Sequence, residues 1–209
     1  LYLHDALPIS IDFEKLVLGD DVADQYWIFD PVSGNTLGWS NGVGQGDLNG
    51  TIQSSQGFWL KANGPQVTTT LDESAKNLMP TQGGIFGGDQ QPLLPILRLA
   101  LSSEVNTHRD EATVVFGQGS PAFDPMDALK MVFGSPGAPQ ISVHSSDGQN
   151  LAIDFTGDYD NDMSIPVMVR AAIAGTYEIS VSMMGIQSLS CLTLEDLMTG
   201  TTTPLSDGT

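Results

Sequence analysis

The chain has 209 residues, enough for one large or two small domains with a buried core. Acidic residues outnumber basic ones 25 to 7, a formal net charge of -18; such a field repels phosphate backbones and anionic membranes, so nucleic acid is excluded as an expected partner. Hydrophobic residues at 40% and charged residues at 15%, with 23 glycines and 12 prolines, point to many short strands and turns rather than long charged helices or disorder.

The start, "LYLHDALPIS", contains "LHDALPI", which resembles the translation of a sequencing-adapter oligonucleotide. Residues 1–10 are therefore expected to be non-native and to contribute nothing to the fold. The next segment, 11–80, reads as a small β domain. "DQYWIFDPVSGNTLGWS" predicts a hairpin: Tyr26, Ile28 and Asp30 alternate with Trp27 and Phe29, and Pro31, Gly34 and Asn35 supply turn chemistry. "NGVGQGDLNG" is a glycine-rich loop without the lysine of a phosphate cradle. "GFWLKA" predicts a strand with Phe58, Leu60 and Ala62 on one face and Trp59 and Lys61 on the other. "QVTTTLDESA" predicts a further β-branched strand.

Residues 81–92, "TQGGIFGGDQQP", carry glycine and no periodicity, and are expected to be a linker. The segment 93–209 then alternates more clearly. "ILRLALS" puts Leu97, Leu99 and Leu101 on one face, "EATVVFG" follows, and "FDPMDALKMVF" predicts a short turn entering a strand. In that turn Asp124 is expected to cap, and Asp127 to accept backbone hydrogen bonds or pair with Lys130. "QISVHSSDGQNLAIDF" predicts a hairpin with Asp147-Gly148 at its tip. In "GTYEISVSMM", Tyr177, Ile179, Val181 and Met183 face inward. In "CLTLEDLMTGTTTPL", Leu192, Leu194 and Leu197 are expected inward, with a turn at Thr199-Gly200, and the chain is expected to be truncated at its C-terminus. Short strands at regular spacing predict an all-β fold: an antiparallel β-sandwich, jelly-roll-like, in two consecutive domains.

The chemistry is sparse. Cys191 is the one cysteine, expected to be a packed or partly covered structural thiol rather than a nucleophile, since no histidine lies near it in sequence. His108 and His144 stand without a partner motif, and no G-x-S-x-G or H-E-x-x-H is present. Pairing of acid/base carboxylates is spatial and does not show in sequence, so no catalytic residue is assigned and no enzyme is expected. The sharpest local signal is "GDYDND", where Asp158, Asp160 and Asp162 alternate like the first ligands of a calcium loop. The pattern then fails, with Met163 at the glycine position and Val169 at the glutamate position, so calcium is the only candidate cofactor and a solvated acidic turn the competing reading. Trp27, Trp39 and Trp59 are the candidate glycan-stacking rings. No apolar run reaches the roughly 18 residues of a membrane span; "PLLPILRLAL" is broken by Pro95 and Arg98, so no membrane insertion is expected.

"IDFEKL", "YWIFDPVSGN", "QGFWLKANG", "LRLAL", "DEATVVF", "FDPMDALKM", "IPVMVRAAIAGTYEISV" and "LTLEDLMTG" follow one another in this order. The ordered set resembles the β-sandwich region that precedes the C-terminal sorting domain in type IX secretion system exported proteins of Bacteroidetes-type bacteria. The resemblance spans residues 11–209. It implies a noncatalytic structural or presentation module of a secreted or cell-surface protein, with the secretion machinery as partner through a sorting domain outside this sequence. A carbohydrate-binding or adhesion module of an exported enzyme, with a glycan as partner, is the alternative.

Overall fold

The computed structural model describes residues 9–77, 94–160, 162–186 and 191–206. In the first segment the strands are β1 (Ser10–Asp12), β2 (Val17–Leu18), β3 (Val22–Asp30), β4 (Asn35–Ser40), β5 (Val43–Gly44), β6 (Thr51–Ile52), β7 (Trp59–Ala62), β8 (Thr69–Thr70) and β9 (Lys76–Asn77). In the second they are β10 (Ile96–Ser103), β11 (Arg109–Phe116), β12 (Ala128–Leu129), β13 (Gln140–His144), β14 (Asn150–Thr156), β15 (Val167–Arg170), β16 (Tyr177–Met184), β17 (Leu192–Asp196) and β18 (Thr201–Leu205). Helix among the described residues is limited to two three-residue 3-10 turns, Phe13–Lys15 and Glu73–Ala75. The fold is all-β and sandwich-like.

Two sheets dominate. A four-stranded antiparallel sheet has the order β5-β4-β3-β7. A seven-stranded sheet has the order β15-β13-β14-β11-β10-β16, with β12 beside β14. Pairing is antiparallel except between β11 and β14, which run parallel from Thr113 opposite Ile153 to Phe116 opposite Thr156. A parallel pair needs a crossover, and the chain between these strands makes it through β12 and β13. Smaller pairings are β6-β1-β9, β2-β8 and the β17-β18 hairpin.

Strand alternation divides the apolar side chains among three cores. On β3, Tyr26 points to a core with Phe13, Trp39 and Ile52, where the Tyr26 and Trp39 rings stack at 5.6 Å. Its neighbour Trp27 points the other way, into a core with Val43, Val115, Ala128, Ile153 and Phe155. The opposite face of the seven-stranded sheet buries Leu97, Leu99, Leu101, Val114, Ile141 and Val181. The middle core draws on both segments, so the four-stranded and seven-stranded sheets meet across a packed seam.

The two hairpins expected from turn chemistry form where their residues place them. At the β3–β4 turn, the Asp30 carboxylate accepts the Val32 amide at 3.0 Å and the Ser33 amide at 2.9 Å. Gly34 closes that turn at φ +73, and a Cβ there would run into the His108 ring. Gly148 takes φ +91 at the tip between β13 and β14.

Several expectations change. Ser10, counted with the non-native start, is a buried member of β1, pairs opposite Asn77 and donates its hydroxyl to Gln53 at 3.1 Å. The fold therefore reaches at least to that residue; residues 1–8 and the expected linker at 81–92 lie outside the described residues. "QVTTTLDESA" contributes two strand residues, Thr69 and Thr70, before the 3-10 turn begins at Glu73. Leu197 is not inward: it sits in the β17–β18 turn at 86% exposure, beside Met198 at 96%. The period of two ends where the strand ends, at Asp196, whose carboxylate holds the turn by accepting the Met198 amide and the Thr199 hydroxyl, each at 2.8 Å.

Candidate functional site

Side chains with ligand-binding chemistry in the first segment are largely directed into the seam. Gln25 donates its amide to the Pro125 carbonyl at 2.9 Å and the Asp127 carbonyl at 2.7 Å. Ser40 donates to the Met126 carbonyl at 2.6 Å. Trp27 donates its indole N–H to Leu129, Thr36 its hydroxyl to Phe133, and Asn35 its amide to both Arg109 and Pro139. Gln45 is completely buried: it donates to the Glu111 and Ala152 carbonyls and accepts the Gly38 amide at 3.0 Å. These bonds bridge the two sheets in a buried setting where an unmade bond is costly, so they act as a rigid joint.

The 124–127 turn is the centre of that joint. Asp124 accepts the Met126 amide at 2.8 Å, as expected of a cap. Asp127 accepts the Asp124 amide at 2.8 Å and the Phe155 amide at 2.7 Å. Lys130, the other expected partner of Asp127, instead pairs with Asp110 in a buried ion pair, and the second Asp110 oxygen takes the Ile141 amide. Asp154 lies beside Phe155 at 5% exposure, and its Oδ1 has no hydrogen-bond donor. Burial pushes Asp127 up to about 6 against the pull of the two amides. Burial, reinforced by the charges of Asp127 and Asp124, pushes Asp154 up to about 7.

The three tryptophans separate. Trp27 and Trp39 are each 2% exposed, so neither offers a ring face for stacking on a sugar, and both are withdrawn as ligand candidates. Trp59 is 42% exposed because β7 is the edge strand of its sheet: it pairs opposite Trp27, on the same face, but beyond the cover that buries Trp27. Beside it on that face, the Lys61 ammonium lies 4.4 Å above the Phe123 ring. Trp59 is thus one exposed ring with a cation-capped aromatic near it. Its neighbours Phe58 and Leu60 pack toward the Tyr26–Trp39 core.

The acidic loop follows β14. Asp158, Asp160 and Asp162 are all exposed. Asp160 spends one carboxylate oxygen on the Asp162 amide at 2.9 Å. Asp158 instead borders an open groove of about 350 Å³ with Leu94, Pro95, Phe116 and Tyr159. Phe116 and Tyr159 meet edge-on at 5.2 Å. Among the described residues, no three His, Cys, Asp or Glu side chains are grouped to hold a metal ion. Cys191 is exposed rather than packed. His144 shares a hydrogen bond with Asn150, and His108 packs against the β3–β4 turn. Among the described residues, no helix is long and apolar enough to cross a membrane.

Gln25, Gln45 and Asp154 escape sequence reasoning. Asp154 and Gln25 are polar residues inside apolar strands, "NLAIDF" and "ADQYWIF", a pattern that signals a buried polar partner. Gln45 lies in a glycine-rich stretch and carries no such signal. Compared with protein-family models, curated proteins and solved structures, the chain matches none.

Proposed function

We propose that this chain is a noncatalytic structural or presentation module of a secreted or cell-surface bacterial protein, lying upstream of a type IX sorting domain. The observation that supports this reading is the seam. The buried amides and hydroxyls of Gln25, Asn35, Thr36, Ser40 and Gln45 are committed to backbone carbonyls of the second segment, in its turns and in β14, rather than to solvent. A joint built that way holds two sheets at a fixed angle, which suits a spacer that presents what lies upstream. The acidic surface suits a role outside the reach of nucleic acid. The test is excision of residues 11–209 from the complete parent protein. Loss of surface display, with the upstream activity intact on purified protein, is expected. Normal display accompanied by loss of a catalytic or ligand-binding activity overturns the proposal.

Trp59 favours a second reading, a carbohydrate-binding or adhesion module, because its ring is 42% exposed at a sheet edge. One ring buries little area and leaves the hydroxyls of a sugar unpaired, so affinity from it alone is weak. A glycan array probed with the chain and with Trp59→Ala separates the readings. Binding that the substitution removes, at unchanged melting temperature, selects the binding module.

A further inference from the structure

We propose that Asp127 and Asp154 form a pH-sensitive clasp that holds the four-stranded sheet on the seven-stranded sheet when they retain a proton and slackens when both are charged. The geometry is specific. Three consecutive carbonyls of one turn, those of Pro125, Met126 and Asp127, accept the side chains of Gln25 and Ser40 from the facing sheet and of Asn41 from the turn after β4. The same turn is tied to β14 through the Asp127 carboxylate and the Phe155 amide at 2.7 Å. Asp154 is the residue immediately before that amide, and its Oδ1 is buried without a donor.

With a proton retained, the pair carries one negative charge. That charge rests on Asp127, where two amides receive it, and the proton on Asp154, whose neutral carboxyl needs no counter-charge. When that proton leaves, the charge of Asp127 acts on a second carboxylate whose Oδ1 is buried without a donor. Asp124 on the turn and Asp147 at the β13–β14 tip add negative charge to the field at Asp127, and Asp124 also acts on Asp154. Lys61 on β7 is the cation that feels Asp127, and its ammonium lies over the Phe123 ring; Lys130 is committed to Asp110. Repulsion is relieved when the turn moves off the Phe155 amide. That movement carries away the three carbonyls that Gln25, Ser40 and Asn41 hold.

The sign follows from linkage. Free aspartate titrates near pH 3.9, so below about pH 4 both states hold the protons and the clasp is complete. As pH rises toward about 6 for Asp127 and about 7 for Asp154, the unfolded chain has already released protons that the folded one retains, and stability falls. Each proton held only by the folded state costs roughly a tenfold loss in the folding equilibrium per pH unit across its window.

The test is urea unfolding of the whole chain and of Asp154→Asn between about pH 5 and about pH 8. The chain is expected to lose stability over this range, and Asp154→Asn, which keeps both described histidines and every other carboxyl, is expected to give a flatter profile and to be the more stable of the two at the alkaline end. Parallel profiles overturn the proposal. Two measurements on the unsubstituted chain stand even if the variant does not fold. In a carboxyl-carbon NMR titration, a midpoint above about pH 5.5 for Asp127 or Asp154 is expected, and ordinary midpoints for both refute the clasp. Hydrogen exchange of the Gln25 side-chain amide, corrected for base catalysis, is expected to quicken as the pair ionises; unchanged protection refutes the coupling to the joint.

Discussion

Replacing Gln45 by leucine tests the joint most directly. Leucine keeps much of the volume, so the change is one of hydrogen bonding and not of cavity. Gln45 accepts the Gly38 amide at 3.0 Å and donates to the Ala152 carbonyl at 3.1 Å and to the Glu111 carbonyl. The Glu111 carbonyl keeps a second donor, the Lys130 ammonium at 3.3 Å. The Gly38 amide and the Ala152 carbonyl lose these partners in a site with no exposed surface. Each buried group left unsatisfied costs about 1–3 kcal/mol, so Gln45→Leu is expected to cost roughly 2–6 kcal/mol. That is a large part of the roughly 5–15 kcal/mol typical of a folded domain. Urea unfolding followed by tryptophan fluorescence, which reports on Trp27 and Trp39 in the first segment, and by far-UV circular dichroism is the assay. The midpoint should fall in both signals together with the slope preserved. Gln56→Leu is the control, since the Gln56 amide donates to the adjacent, exposed Gly57 carbonyl, and it should stay within about 0.5 kcal/mol. A loss below about 0.5 kcal/mol for Gln45→Leu, or a fall seen in fluorescence alone, would refute the idea that this side chain binds the sheets into one unit.

Val181 is 3% exposed in the core below β10 and β16, so Val181→Asp, which buries an unpaired charge, should cost about 4 kcal/mol or more in urea unfolding; a sharp, near-unchanged transition would remove it from the core. Leu197→Ser combined with Met198→Ser should change stability by no more than about 0.5 kcal/mol, because both side chains project from the β17–β18 turn. A greater loss by calorimetry would mean that the turn packs. Trp59→Ala should cost less than about 1.5 kcal/mol, well short of the roughly 3–5 kcal/mol of a buried aromatic, as its ring is partly open. Calcium titration by calorimetry should give an affinity no tighter than about 10⁻⁵ M, unchanged in Asp160→Ala, since Asp160 is tied to the Asp162 amide and Asp158 borders the groove. Submicromolar binding lost on that substitution would restore the loop as a metal site.

Local chemistry was enough to read the β-rich class, the β3–β4 hairpin from its Asp-Pro and Gly-Asn turn, the β13–β14 hairpin from Asp147-Gly148, and the inward face of β16. Each rests on residues a few positions apart, where backbone preference and the period of two act directly. The Asp124–Asp127 turn was legible for the same reason: its capping bonds span two or three residues. The strand pattern could not say which tryptophan would be covered. Trp27 and Trp59 sit opposite each other on one face, and only the sheet order, with β3 inside and β7 at the edge, buries the first and opens the second. Sequence also ran inward-facing alternation past Asp196 to Leu197, where a turn had already replaced the strand. The parallel pairing of β11 with β14 and the bonds of the joint belong wholly to tertiary structure. Gln25 and Asp127 stand 102 positions apart, and Gln45 and Ala152 stand 107 apart. At such separations no local preference acts; what brings the groups together is the burial of one shared core, within which the donors of Gln25, Ser40 and Gln45 meet carbonyls of the other segment.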